Sequence, residues 1–218
     1  MNYNLLKKID FEKKDIGGKR YYIINNKPYR SVTNFVNRKL KVQEKFKEWR
    51  KSIGDREADM IAKEALESGT LLHKCCEDFL LGNKVIINKN YIIKTLFEKY
   101  LQHLLLKTVN NIKGVEFVLY SDKLRLAGTA DLIADWEGDL SIIDFKTSTY
   151  PKPEEWIDSY FLQTTIYGLM LEERFKLIPD NVVIVMVNKR GVVDDTIPPI
   201  TLYIKNFEKE KKRWKHLI

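Results

Sequence analysis

The sequence predicts an α/β fold in which helices flank a mixed central β-sheet, with an N-terminal hairpin and a helical extension ahead of it. The order of segment types is the first reason: from Gly114 onward the chain reads strand, hairpin, helix, strand, strand, an order that suits a mixed sheet with helices on its faces. The second is the pair of runs Ala130-Asp-Leu-Ile-Ala134 and Ile142-Ile-Asp-Phe145, apolar on both sides of each acid. Strands covered on both faces read this way. A chain of 218 residues can bury a substantial core, and one unit over 1–218 is expected, with 1–55 as hairpin and basic helix and 56–218 as the core.

The elements follow in order. Lys19 to Tyr29 reads as a hairpin, with Asn25-Asn26 supplying turn chemistry. Ser31 stands at a helix N-cap position before a helix predicted over Val32 to Arg50. That helix carries Arg38, Lys39, Lys41, Lys45, Lys47, Arg50 and, at its end, Lys51, interleaved with Phe35, Phe46 and Trp49. Such a pattern is a solvated basic face over an apolar stripe, or a face for nucleic acid whose aromatic rings stack on bases. A long helix is expected from Arg56 to Leu81, stopped by Gly82-Asn83, and it places His73 and Glu77 on one face. Tyr91 to Val109 reads as an amphipathic helix and Gly114 to Tyr120 as a strand. A hairpin over Leu126–Lys146 follows, then a polar break at Thr147–Pro153 and a helix over Glu154–Glu173. Strands over Asn181–Val187 and Ile200–Ile204 precede a basic terminal helix from Asn206 to His216.

Composition narrows the function classes. A formal net charge of +8 favours a polyanionic partner. No apolar run approaches membrane-spanning length, and Met1 to Lys8 lacks the apolar core of a secretory signal, so an intracellular, cytoplasmic protein without a membrane partner is expected. The two cysteines are the neighbours Cys75 and Cys76. They are too few for an all-cysteine metal site or an iron–sulfur cluster within one chain, and are expected to be reduced helix residues. There is no Gly-rich phosphate loop of the Walker type, so ATP-driven unwinding would need a separate protein.

The register of the hairpin over Leu126–Lys146 carries the chemistry. If Glu137-Gly138 is a two-residue turn, Trp136 opposes Asp139 and Asp131 opposes Asp144. Opposed like charges in a ladder destabilise it, and a cation between them removes the penalty. Lys146 lies two residues beyond Asp144 and shares its face. Two hard oxygen ligands beside an ammonium are the equipment for metal-assisted attack on a phosphodiester. The competing expectation is a surface hairpin with solvated acids, which the apolar flanks oppose. A register slip of one residue would separate the acids.

In order along the chain stand Gly69-Thr-Leu-Leu-His73, Gly128-Thr-Ala-Asp131, Asp144-Phe-Lys146 and Gln163-Thr-Thr-Ile-Tyr167. This pattern resembles the RecB-type branch of the PD-(D/E)xK nucleases, with a helical histidine, a G-x-x-D aspartate, a D-x-K pair and a Q-x-x-x-Y helix. Ser31-Val-Thr33, the run from Trp49-Arg50 through Glu64-Ala65 to Gly69-Thr70, and Ile143-Asp-Phe-Lys-Thr-Ser148 are similar to the mitochondrial genome maintenance exonucleases and their phage relatives. The resemblance implies a restriction-endonuclease-like fold and a nuclease core over 56–218.

It further implies that His73, Asp131, Asp144 and the backbone carbonyl of Phe145 hold Mg2+ or Mn2+. The histidine ligand favours Mn2+ somewhat. Lys146 would orient or help deprotonate the attacking water. Gln163 and Tyr167 would support the site or touch the nucleic-acid backbone, with Ser31 and Thr33 in a similar supporting role. Glu116 is an outer carboxylate or an ordinary exposed strand glutamate. The implied activity is a metal-dependent DNA exonuclease with a preference for single strands or frayed ends, leaving 5′-phosphates in DNA replication, repair or recombination. A separate helicase or single-strand-binding protein is the implied partner. The basic helices Val32–Lys51 and Asn206–His216 are the candidate channel walls. Two alternatives stay open: a structure- or sequence-specific endonuclease on the same fold, and a non-catalytic nucleic-acid-binding module.

Overall fold

The structure, a computed structural model, describes residues 1–88 and 90–218. Its first strands are β1 (Glu12–Ile16), β2 (Lys19–Ile24) and β3 (Lys27–Ser31). Helices α1 (Val32–Lys39), α2 (Val42–Ile53), α3 (Asp55–Leu80), α4 (Tyr91–Leu96) and α5 (Gln102–Thr108) follow. The rest comprises β4 (Val109–Ser121), β5 (Leu126–Trp136), β6 (Asp139–Ser148), α6 (Asp158–Phe175), β7 (Asn181–Asn188), β8 (Ile200–Asn206) and α7 (Phe207–Trp214). Among the described residues, eight strands form one mixed sheet in the order β1-β2-β3-β5-β6-β7-β8, with β4 paired to β5. This is the predicted α/β architecture. No helix among the described residues is long and apolar enough to cross a membrane.

Helices cover both faces of the sheet. Along β7, Val182, Ile184 and Met186 pack with α1, α6 and α7, while Val183, Val185 and Val187 pack with α3, α4 and α5. All six are fully buried, which is why this strand reads as an unbroken apolar run. Cys75 and Cys76 are buried free thiols in the α3 layer. Burial pushes the Cys75 thiol up to about 11, so both behave as core residues.

Turn chemistry fixes the hairpins. Asn25 and Asn26 sit at φ 49° and 60°, and Glu137 and Gly138 at 53° and 100°, the left-handed pairs that two-residue hairpin turns require. Trp136 therefore pairs with Asp139 and the ladder continues to Leu132 and Ile143, the register expected from the sequence.

Several boundaries differ from expectation. The helix predicted over Val32–Arg50 is two helices, because Lys41 adopts a left-handed conformation (φ 51°) just after Leu40 tucks against the core. The helix predicted to start at Glu154 begins at Asp158, after a single 3-10 turn over Glu154–Trp156. Fully buried Ile157 pins the chain between them. Phe97–Leu101 between α4 and α5 is a π stretch. Ile93, Phe97, Leu101 and Leu105 are all buried at four-residue spacing, and the wider π turn keeps that stripe on the sheet. Strand β1 is wholly exposed and has no apolar alternation to announce it. Its signal was Gly17-Gly18, at φ 59° and 72°, a turn pairing Ile16 with Lys19.

One strand edge is shared in a way that positions the site. β4 lines β5 from Leu126 to Trp136, leaving β5 a single other edge. Its end near Trp136 pairs with β6, and its end near Leu126 pairs with β3 through Arg30↔Leu126 and Ser31↔Ala127. Residues 128–131 lie in the gap. The sheet forks there.

Candidate active site

The fork is where Asp131 and Asp144 would be the next opposed pair. The ladder opens there instead, and the Phe145 N–H donates to Asp131 Oδ2 at 2.8 Å. The strand facing also reverses at this level. Val115 packs with the α3 layer but Phe117 with the α6 layer; on β5, Ala130 packs with α6 but Leu132 with α3. Residues two apart on a regular strand share a face, so both strands twist over at Glu116 and Asp131. Glu116 absorbs that twist with φ 44°, a conformation costly for a non-glycine residue and concentrated at functional sites.

Helix α3 brings His73 to this point from one face. Its Nδ1 lies 3.4 Å from Asp131 Oδ1 and 3.6 Å from Glu116 Oε1. Burial disfavours the imidazolium, but the two carboxylates outweigh it and His73 is pushed up to about 10. Asp131 is held below the usual carboxylate range: burial opposes its charge, and His73, Lys146 and the Phe145 N–H together prevail. The cluster thus asks for positive charge.

Asp144 and Lys146 lie on the other face, in step with Ile142, toward α6. They form a contact ion pair, and Asp144 Oδ2 otherwise lacks a hydrogen-bond partner. Burial raises the Asp144 carboxyl against the pull of Lys146. Lys146 stays charged because Asp144 and Asp131 outweigh its own burial. Its Nζ sits 5.1 Å from the centre of the Tyr160 ring, a cation–π contact.

Tyr160, Gln163 and Tyr167 form one stripe of α6. Gln163 Nε2 donates to Tyr167 Oη at 3.4 Å, and Tyr167 is wedged against Gly128, where an added Cβ would meet its ring and hydroxyl at 2.7 Å. Gly128 of the G-x-x-D motif is thus a close-approach glycine. Tyr160 was missed in the sequence, although it precedes Gln163 by three residues on the same helix face.

Of the predicted site residues, the structure brings together His73, Glu116, Asp131, Asp144, Lys146, Phe145, Gln163 and Tyr167. Ser31 ends β3 beside Ala127 and precedes α1 without a side-chain cap bond, and Thr33 is exposed; neither touches the acids. Glu77 pairs with Lys74 at 3.1 Å and stays outside the cluster. The site opens into a recess of about 590 Å³ along α3, lined by Leu66, Gly69, Thr70, His73, Glu77 and Glu116.

His73, Glu116 and Asp131 each offer one ligand atom, all within 4.8 Å of one another. Adjacent ligands at about 2.0–2.2 Å from one ion lie roughly 3–4 Å apart. The separations of 3.4 and 3.6 Å from His73 Nδ1 to Asp131 and Glu116 fall in that range, so the donor set fits a divalent cation with Glu116 among the candidate donors.

Residues 87–213 match the PD-(D/E)XK nuclease superfamily. Mitochondrial genome maintenance exonuclease 1 of Homo sapiens is 29% identical over 98 residues, covering 44% of this chain and 26% of that protein. The Mus musculus protein of the same name is 27% identical over 85 residues, covering 39% and 25%. The matched stretch is about a quarter of the length of each relative. A solved structure described as "Crystal structure of SSO0001" overlaps 86% of this chain and 73% of that chain at 16% identity, with a TM-score of 0.36. His73 precedes the family match, so its placement at the site rests on geometry.

Proposed function

The chain belongs to the PD-(D/E)XK nuclease superfamily, and from that premise we propose that it is a Mg2+- or Mn2+-dependent DNA exonuclease preferring single-stranded or frayed ends. The observation that carries the metal-dependent reading is the approach of His73, Glu116 and Asp131 within 4.8 Å beside the Asp144–Lys146 pair. The exonuclease direction of the reading draws on the similarity to the two mitochondrial exonucleases.

A divalent cation held by His73, Asp131 and Glu116, with Asp144 alongside, would supply Lewis-acid stabilisation of phosphate charge and a more acidic water. The chain's own groups divide the remaining work. Lys146, kept as an ammonium by its acidic neighbours, donates to the phosphate and stabilises charge that builds on its oxygens. Asp144 and the Tyr160 ring fix where that ammonium points. The Phe145 N–H holds the Asp131 carboxylate in position. Gln163 and Tyr167 hold α6 against Gly128 and keep the fork open. In the overall step, a water oxygen bonds to phosphorus, the P–O3′ bond breaks, and a 3′-hydroxyl and a 5′-phosphate result.

The test uses end-labelled linear single-stranded DNA, linear duplex and circular single-stranded DNA, each with Mg2+ or Mn2+. Linear single strands are expected to shorten from an end while circles stay intact. Opened circles would replace the exonuclease assignment with an endonuclease, and no hydrolysis of any substrate would leave a binding module.

A further inference from the structure

A groove of about 500 Å³ lies between the β1–β2 hairpin and helices α1 and α2. We infer that this groove is the track for a nucleic-acid strand leading to or from the fork, binding its sugar-phosphate backbone. The inference rests on the phosphodiesterase reading of the fork.

Charge is the first argument. The groove is walled by Lys19, Arg20, Arg30, Arg38, Lys41 and Lys47, and Glu44 is the single acid on its lining. Lys41 reaches Glu44 at 3.7 Å; the other five cations make no ion pair among the described residues. Unpaired cations converging from two helices and a hairpin repel one another unless an anion lies among them. The terminal helix contrasts with this. On α7, Lys211 pairs with Glu172 and Glu208, and Arg213 with Asp158 and Glu210, while Lys209 and Lys212 make no ion pair among the described residues. With two of its four cations already paired, the terminal helix is the weaker wall, and the expectation that both basic helices wall a channel narrows to the N-terminal one.

Position is the second argument. Arg30 lies on β3, which shares the forked edge of β5 and pairs Ser31 with Ala127. Asp131 is four residues farther along β5, a distance of about 13 Å at the rise of a strand. That span is at most roughly four phosphates, counted at the axial rise of one duplex strand, and fewer along an extended single strand. A strand with its scissile phosphate at Asp131 and Lys146 thus reaches the groove within a few nucleotides. Half-buried Tyr21 and Phe35 line the same groove, giving bases an aromatic surface beside the phosphate track.

Equilibrium binding of fluorescein-labelled dT20 in EDTA tests this without turnover. The variant Arg20→Gln/Arg38→Gln/Lys47→Gln removes one cation from each wall at exposed positions. It is expected to bind at least about tenfold more weakly at 0.1 M salt, with a log–log salt slope shallower by about two, because each single-strand phosphate contact contributes about 0.7. Lys209→Gln/Lys212→Gln/Lys215→Gln carries the same charge change on the terminal helix and is expected to bind within about twofold of wild type. Circular dichroism confirms that each variant is folded. Equal losses in the two variants, an unchanged groove variant, or no binding of dT20 by wild type would each overturn the groove. Hydrolysis by wild type with Mn2+ is scored separately, so failure of the groove and failure of the nuclease reading are told apart.

Discussion

Asp131→Asn is expected to lower metal-dependent hydrolysis of linear single-stranded DNA by at least about 10³-fold, which corresponds to several kcal/mol of transition-state stabilisation. Asparagine keeps an oxygen that can accept the Phe145 N–H now bonded at 2.8 Å, so the strand geometry survives. What disappears is the charge that faces His73 at 3.4 Å and completes the oxygen side of the donor set. Calorimetric titration with Mn2+ should show the loss directly, and far-ultraviolet circular dichroism should match wild type. A variant retaining more than a tenth of wild-type activity would remove Asp131 from the metal site.

The second large effect is expected at Lys146. Lys146→Met removes the ammonium that faces the phosphate and should cost about 10²–10³-fold in kcat. It also leaves Asp144, 2% exposed, without its counter-ion. Breaking one partner of a buried pair costs about 3–5 kcal/mol when the remaining charge stays ionised. The sign with pH follows from burial, which already raises the Asp144 carboxyl. Without Lys146 its folded pKa rises further above the ordinary aspartate value of about 3.9, so the folded variant binds more protons than the unfolded chain. Its metal-free stability relative to wild type should therefore fall as pH rises from the already raised wild-type value of Asp144 toward that higher folded value. Adding Asp144→Asn should restore much of the stability and none of the activity. Thermal melts across pH check the first statement, and a double variant as unstable as Lys146→Met would contradict it.

The hairpin was legible because Glu137-Gly138 puts a glycine where a two-residue turn needs positive φ, and the turn fixes the register of every residue counted from it. Buried strands such as Asn181–Asn188 were legible because both faces demand apolar side chains. Glu116 was not. Nothing in Gly114-Val-Glu-Phe marks the left-handed residue that turns the strand over, since the reversal serves two different cores on opposite faces of the sheet. The same reversal explains why His73, Glu116 and Asp131 lie within 4.8 Å of one another while Asp144 turns to Lys146. The break at Lys41 and the late start of α6 depend on where Leu40 and Ile157 meet the core, contacts that local propensity does not contain. Charge gave the basic helices but not which of their cations face acids, so the choice between the groove and the terminal helix needed the tertiary structure.

The proposed chemistry requires a divalent cation at the forked edge between β5 and β6. Anomalous diffraction from a crystal of the protein soaked in Mn2+ tests it most directly. A peak is expected at about 2.0–2.6 Å from His73 Nδ1 and from carboxylate oxygens of Asp131 and Glu116. No peak in the fork at saturating Mn2+, or a peak only at acids elsewhere on the surface, would contradict it.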